Sequence, residues 1–413
     1  MGQSAAAAPT RTRWPVALIL LGCGVIAAAH IGKGAPAIPA LKSDLGVDDV
    51  TAGLMLASIS LAAALFAYPL GRQLRRFEPT RVLVLALAWL GLLSIAGSFF
   101  TQTLPILLAR SAESLGYLVV VLVVPGLLGS VATAADRRYV MAMWGTFMPL
   151  GTALALLVAP LLLATWGWQS LWIASGLSCL VVAGVVVAVV GPRSGPRGDA
   201  PPADHRDVAR EITADPPGFR ADLIRLALIF CLYAAMYLAV LGLLPTALFE
   251  AGTSIRFASI ATGVAVLVNA PGNLLGARLV RAGAPLRRSV AIGAVGIAVS
   301  SWGIYVDHGS IPLVVASALA FSFISGFVPA SLFAQLNRVG DPSRVPTATG
   351  ALVQGSGVGQ LLGPPALAGV LVAAGTGSLV GPIVITLTAA AMAAIAAGVS
   401  TETRPRIDDA PAP

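Results

Sequence analysis

Charged side chains are scarce in this chain. Aspartate, glutamate, lysine and arginine make up only 11% of its 413 residues, whereas a soluble domain carries about 25%. Hydrophobic residues account for 57% of the chain, and the mean hydropathy is +0.87. A chain this apolar cannot fold as a water-soluble domain, so its composition indicates a membrane protein.

Cysteine and the common catalytic motifs are also nearly missing. The three cysteines, Cys23, Cys179 and Cys231, all lie inside apolar stretches, which excludes a disulfide framework and the spacing of a metal site. The chain has no P-loop, so ATP is not the expected energy source. It also has no Ser-His-Asp arrangement, because His205 and His308 belong to loops. We therefore expect no enzymatic activity, no metal and no cofactor.

Long apolar stretches dominate the rest of the sequence. Each is long enough to cross the hydrocarbon core, which requires about 20 apolar residues as a helix. The first stretch is too long for a signal peptide and leads into the others, so we interpret it as a retained helix. This pattern predicts an all-α membrane protein with twelve transmembrane helices, at roughly 14–40, 51–71, 81–100, 104–128, 139–163, 171–191, 223–249, 256–277, 288–306, 311–336, 345–371 and 379–400.

The basic residues lie almost entirely on one side of these helices. If the loops alternate between two sides, one side holds 22 of the 26 lysines and arginines, and the other holds only Lys42 and Arg256. Such a bias follows the positive-inside rule. It predicts a multi-pass protein of the inner, or plasma, membrane with both termini in the cytoplasm. It also explains the net charge of +8 without nucleic-acid binding.

A polar segment divides the stretches into two sets of six. Residues 192–222 are rich in proline, glycine and charges of both signs, which is typical of a linker. The predicted organisation is a cytoplasmic tail (1–13), an N-terminal six-helix bundle (14–191), a cytoplasmic linker (192–222), a C-terminal six-helix bundle (223–400) and a second cytoplasmic tail (401–413). Repeated halves are typical of secondary transporters, whose substrate binds between the repeats near the bilayer midplane.

Three motifs carry a family resemblance. The second and eighth stretches both end in a glycine followed by arginines, GRQLRRFEPTR from Gly71 and GARLVRAGAPLRR from Gly276. The fourth stretch contains Arg110, Glu113 and Gly116 in the order Arg-x-x-Glu-x-x-Gly, and GWQSLW lies between stretches five and six. On these motifs the chain resembles the major facilitator superfamily over 14–400, and within it the cyanate-permease-like group. The resemblance implies two pseudo-symmetric six-helix bundles with helices 1, 4, 7 and 10 along a central cavity.

The loop motifs depart from the family pattern. Arg75 stands where the family has an acid, Glu78 stands where it has a glycine, and Val280 replaces the acid in the second copy. In the family this loop helps to latch the cytoplasmic gate, so the latch depends here on whether Glu78 substitutes for the missing acid. The gating residues implied by the resemblance are Gly71, Arg75, Arg76, Glu78, Gly276, Arg281 and Gly283.

Four ionisable residues lie inside the apolar stretches: His30 and Lys33 in the first, Arg110 and Glu113 in the fourth. A spacing of three puts each pair on one helix face, and a rise of about 1.5 Å per residue puts all four in one layer. Buried charges normally face a partner or a cavity. In one account Glu113 pairs with Arg110 or Lys33 and locks the helices together. In the other, the excess of positive charge receives an anionic substrate.

If the excess positive charge receives a substrate, the prediction is a secondary active transporter. It would move a small anionic solute, an organic acid or inorganic anion, with proton coupling. The alternatives are a proton-driven exporter of a larger amphipathic compound and, from another class, a membrane sensor that binds solute without moving it. We expect a solute, membrane lipid and protons as partners, and a monomer. The predicted proton-coupling residues are Glu113 and His30, and the predicted substrate-binding residues are Lys33, Arg110, Tyr117, Tyr233, Tyr237 and Gln354.

Overall fold

A computed structural model describes residues 11–74, 77–133, 136–190, 219–305, 310–335, 345–374 and 379–399. This part of the chain contains helices and no strand, which confirms the all-α prediction. The helices are numbered α1 to α12 in chain order, and five of them consist of more than one segment. Their bounds are α1 (Trp14–Gly32 and Gly34–Leu45), α2 (Asp49–Ala57, Ser58–Ser60 and Leu61–Gln73), α3 (Pro79–Gly97), α4 (Thr103–Val131), α5 (Arg137–Trp144 and Phe147–Trp166), α6 (Gln169–Val185 and Val186–Val190), α7 (Phe219–Glu250), α8 (Ile255–Arg281), α9 (Leu286–Tyr305), α10 (Ile311–Ser325 and Phe327–Gln335), α11 (Val345–Ala374) and α12 (Val380–Ala397).

Eleven of these helices are long and apolar enough to cross a membrane within the described residues. The other is α9, whose first turn contains Arg287 and Arg288 and therefore has a lower mean hydropathy. Helix α7 begins at Phe219, before the predicted start at residue 223. Its first turn carries Arg220 and Asp222, which continue the helix with polar side chains beyond its apolar part.

Helix contacts repeat between the two halves of the chain. In the first half, α1 packs on α5, α2 on α4, and α3 on both α4 and α6. The same pairs recur six helices later, since α7 packs on α11, α8 on α10, and α9 on both α10 and α12. The halves meet where α2 packs on α11 and α5 packs on α8. This repetition is the pseudo-symmetric arrangement of two six-helix bundles expected for the fold class.

Glycines at four-residue intervals allow close helix packing. Gly355, Gly359 and Gly363 of α11 face α7, and a β-carbon on any of them would overlap a backbone carbonyl oxygen of that helix. Gly151 of α5 meets the carbonyl oxygen of Val25 in α1 in the same way. In lipid, such small residues let helix backbones approach and gain van der Waals contact.

Helix α1 is broken at Lys33, which separates its two segments. Three residues later Pro36 has no N–H group, so it cannot donate a hydrogen bond to the carbonyl of Gly32. Helix α2 contains a 3₁₀ turn over Ser58–Ser60. Both irregularities lie beside the intramembrane charges described below, where backbone carbonyls become available as acceptors.

Glu78 caps the first turn of α3. Its carboxylate accepts hydrogen bonds from the backbone N–H groups of Thr80 at 2.9 Å and Arg81 at 2.7 Å, and Pro79 occupies the first helical position. Burial raises the pKa of the Glu78 carboxyl, but the hydrogen bonds from Arg81 and Thr80 hold it below its usual value of 4.5. The folded protein therefore favours the ionised carboxylate.

We expect Glu78→Ala to lower the free energy of unfolding by about 1 kcal/mol, the usual cost of a lost N-cap. Because folding lowers this pKa, the stabilisation is full above the unfolded value and is lost as pH falls through the folded value. Thermal unfolding of both proteins at pH 7 and at pH 3 measures the difference, which should shrink at the lower pH. An equal difference at both pH values would contradict an ionised cap.

Candidate functional site

Helices α1 and α4 bring the four intramembrane ionisable residues into contact. The Lys33 ammonium donates to Glu113 Oε1 at 3.0 Å, and His30 Nδ1 lies 3.2 Å from Glu113 Oε2. Arg110 Nη1 lies 3.6 Å from the same carboxylate oxygen. All four side chains are at most 1% exposed. The spacing of three on each helix therefore builds one compact cluster from residues 30, 33, 110 and 113.

Two further helices complete the surroundings of Lys33. Its ammonium donates to Ser94 Oγ of α3 at 2.7 Å, and that hydroxyl donates to the carbonyl of Trp172 in α6 at 2.7 Å. The Trp172 ring lies beneath both cations, 4.9 Å from Lys33 Nζ and 5.7 Å from Arg110 Cζ. An aromatic face attracts a desolvated cation, so Trp172 stabilises the basic side of the cluster.

His30 has two alternative hydrogen-bonding arrangements. Its Nδ1 lies 3.2 Å from both Glu113 Oε2 and Lys33 Nζ, and its Nε2 lies 3.3 Å from the Cys179 sulfur. With hydrogen on Nδ1, the ring donates to Glu113 and accepts from the thiol. With hydrogen on Nε2, the ring donates to the sulfur and accepts from Lys33. A ring that can exchange these partners has the chemistry of a proton relay.

Arg110 joins three helices and keeps one donor free. Its Nη1 donates to the backbone carbonyl of His30 at 2.9 Å, and its Nε donates to the carbonyl of Met55 at 3.3 Å. These bonds connect α4 to α1 and α2 at the irregular parts of both helices. The third nitrogen, Nη2, is buried and has no hydrogen-bond partner. A buried donor without a partner is costly, so Nη2 is a candidate contact for a ligand.

The cluster carries an excess of positive charge. Lys33 and Arg110 contribute two positive charges and Glu113 one negative charge, so the sum is +1 with a neutral His30 and +2 with a protonated one. Taking an uncompensated charge out of water costs several kcal/mol. The structure thus contains the ion pair that would lock the helices together. It also leaves the excess positive charge that would receive an anionic substrate.

The other predicted substrate residues lie on different helices. Tyr117 of α4 is buried among apolar side chains. Tyr233 and Tyr237 of α7 stack with ring centroids 5.6 Å apart, and the Tyr237 hydroxyl lies 3.5 Å from Ser322 Oγ of α10. Gln354 of α11 accepts from the backbone N–H of Tyr68 at 3.2 Å, between the two halves. Within the described residues, no hydrogen bond joins these four side chains to the charge cluster.

The predicted gating residues are described only in part. Arg75 and Arg76 lie outside the described residues, and Arg281 is the last residue of α8. Gly71 belongs to α2, Gly276 packs on Phe327 of α10, and Gly283 has a φ of 88° in the turn after α8. The Glu78 carboxylate accepts hydrogen bonds from the first turn of α3. This capping role explains an acid at position 78 without any contact to a gate. The gating role stays a prediction.

The sequence patterns did not indicate Ser94, Trp172 or Cys179 as part of this site. All three contact the charged cluster from α3 and α6. Ser94 stands alone in α3, while Trp172 and Cys179 share one face of α6. That spacing defines a helix face but does not indicate which helix the face contacts. A polar side chain in an otherwise apolar span was the only available signal.

Comparison with known proteins agrees with this architecture. A sequence model described as "Major Facilitator Superfamily" matches residues 20–286. This chain belongs to the major facilitator superfamily. It is also similar to crystal structures of a bacterial homologue of the human lysosomal transporter Spinster in inward-facing forms. The occupied form has a TM-score of 0.69 at 16% identity and covers 94% of each chain.

The unoccupied form of that bacterial homologue gives nearly the same result. Its TM-score is 0.68 at 16% identity, over 96% of this chain and 95% of the other. No curated protein sequence matches the chain. At this level of identity the structural likeness shows the superfamily fold alone. Together with the family match, it supports transmembrane transport as the function of this multi-pass membrane protein.

Proposed function

We propose that this superfamily member is a secondary active transporter that moves a small anionic solute with proton coupling. The observation that carries the proposal is the fully buried cluster of His30, Lys33, Arg110 and Glu113, which has more positive than negative charge. The two six-helix halves meet along α2–α11 and α5–α8. Rocking of these halves around a central site would give alternating access.

The charge sum also supplies a reason for coupling. A proton on Glu113 removes the only negative charge of the cluster and raises its excess from +1 to +2. Protonation therefore strengthens attraction for an anion, and by linkage a bound anion strengthens attraction for the proton. His30 lies within hydrogen-bonding distance of Glu113 and would deliver or remove that proton. An organic acid or an inorganic anion would satisfy this scheme.

Several finer features belong to the same proposal. The arginine distribution in the sequence favours an inner, or plasma, membrane location with both termini in the cytoplasm. We also propose the two predicted bundles at 14–191 and 223–400, a cytoplasmic linker between them, a monomer, and no enzymatic activity. The likeness to the cyanate-permease-like group remains a prediction from the sequence motifs.

One observation favours a second candidate, the export of a larger amphipathic compound. Phe230, Tyr233 and Tyr237 of α7 stack in series, and Tyr237 continues onto Phe321 of α10. Such an aromatic column would offer extended apolar contact with a polar edge. A membrane sensor is the alternative from a different class, and it would bind solute without flux.

The test is solute-driven proton movement in liposomes. Purified protein is reconstituted in vesicles loaded with a pH-sensitive dye, and small carboxylates and inorganic anions are added one at a time. We expect at least one of them to acidify the lumen relative to protein-free vesicles. A flat trace across the panel, together with outward movement of an amphipathic dye, would favour export. Binding of a solute without any flux would favour a sensor.

A further inference from the structure

The Arg110 guanidinium presents one free nitrogen at a defined place. Nε and Nη1 are occupied by the carbonyls of Met55 and His30, while Nη2 has no partner and the whole side chain is 1% exposed. The ammonium of Lys33 is already engaged by Ser94, Glu113 and His30. The cluster therefore has one unpartnered cationic donor, and it is Nη2.

Gly34 leaves a small space beside this nitrogen. A β-carbon at position 34 would lie 3.4 Å from Arg110 Nη2 and 3.3 Å from Leu56 Cδ2. These distances are close to van der Waals contact, so the space is about the size of one carbon or oxygen atom. The break in α1 at Lys33 places this glycine directly after the cationic residue.

Leu56 of α2 covers the same space on the side that faces the second half of the molecule. Its Cδ2 faces Gly34, and its Cδ1 would lie 3.6 Å from a β-carbon on Gly242 of α7. Leu56 is 3% exposed and belongs to the apolar core that α2 shares with α7. One leucine side chain therefore separates Arg110 Nη2 from the first helix of the second half.

We propose that Arg110 Nη2, Gly34 and Leu56 form an anion subsite that receives a single oxygen of a monovalent anion, with Leu56 as its movable cover. This inference rests on the proposed function and narrows its substrate class. With Glu113 ionised and His30 neutral, a monovalent carboxylate cancels the excess of +1. A divalent tetrahedral anion such as sulfate would reverse that excess, and its additional oxygens would find no further free donor on Arg110.

The test is anion-dependent thermal stability of the full chain in detergent, with sodium formate as the probe and sodium sulfate at equal ionic strength as the comparison. A ligand of the folded state raises the unfolding temperature by mass action. We expect the stabilisation of the wild type by formate to saturate with concentration, as binding does, whereas sulfate, which stabilises by exclusion from the protein surface, should show no saturation. Leu56→Ala removes the cover, raises the fraction of binding-competent protein and should lower the apparent Kd for formate about tenfold.

Gly34→Ala should act in the opposite direction, because its methyl group fills the space and should raise the Kd for formate at least about tenfold. Leu83→Ala and Gly53→Ala are the matched controls. Leu83 of α3 is also buried, and a β-carbon on Gly53 would meet Pro365 at a similar 3.3 Å. Leu56→Met retains the volume of the cover and should bind formate as the wild type does.

The subsite is overturned if formate stabilises neither the wild type nor Leu56→Ala, if Leu56→Ala and Gly34→Ala leave its Kd unchanged, or if sulfate binds as tightly as formate. This failure can be distinguished from failure of the proposed function. Anion-driven proton uptake in liposomes with unchanged formate binding in both variants would remove the subsite alone. Formate binding that responds to both variants, without any flux, would remove the transport proposal alone.

Discussion

Glu113→Gln is expected to abolish solute-driven proton uptake, reducing luminal acidification to that of protein-free liposomes. Glutamine keeps the shape of the side chain but cannot gain or lose the proton, so with a neutral His30 the charge of the cluster stays at +2 at every pH. In the wild type, solute affinity should rise as pH falls, because protonation of Glu113 adds to the positive excess. The variant should lose this dependence, which removes a coupling of about 1–3 kcal/mol.

The control for this substitution is Glu250→Gln, which changes an exposed acid at the end of α7. It should leave proton uptake and its pH dependence unchanged. Exchange of labelled solute across the membrane needs no net proton movement, so Glu113→Gln should retain exchange. If Glu113→Gln vesicles acidified at the wild-type rate, the coupling proton would have to bind elsewhere.

Gly359→Ala is expected to give the largest loss of stability among single methyl additions to α11. A β-carbon at residue 359 would overlap the carbonyl oxygen of Cys231 in α7, and backbone cannot move away as a flexible side chain can. Overpacking of a close contact typically costs about 1–3 kcal/mol and occasionally more, and we expect the upper end here. Thermal unfolding in detergent measures the change.

Gly369→Ala is the matched control for Gly359→Ala. It adds the same methyl group to the same helix at a position where no atom lies within 4 Å of the new carbon, and alanine favours helix over glycine by about 1 kcal/mol. Its stability should equal or exceed that of the wild type. Equal effects at the two positions would show that α7 and α11 do not approach as closely as described.

Much of this fold could be predicted from the sequence because membrane-spanning helices leave a strong signal. Apolar length alone places α7. Helix α9 is not among the helices long and apolar enough to span a membrane, and its first turn contains two arginines. The glycines of α11 recur at intervals of four, a spacing typical of close helix contacts in lipid. The partner of that contact, α7, became evident only with the structure, since spacing describes one helix and not its neighbour.

The candidate site was predictable only in its charged residues. His30, Lys33, Arg110 and Glu113 are conspicuous because ionisable groups are rare in apolar spans. Leu56 gave no signal, since a leucine in an apolar helix is ordinary. Its role depends on the break in α1 and on the tertiary contact between α2 and α7. The free nitrogen of Arg110 likewise could not be predicted, because only the surrounding carbonyls show which of its three nitrogens has no partner.

The net positive charge of the cluster is expected to receive the solute. The most direct measurement is the KM for uptake of the solute found in the liposome panel, in Lys33→Gln and Arg110→Gln beside the wild type. Each variant removes one positive charge and leaves a neutral cluster. We predict that KM rises at least about tenfold in both, equivalent to about 1.4 kcal/mol of binding. An unchanged KM in both variants would contradict the account and assign these charges to holding the helices together.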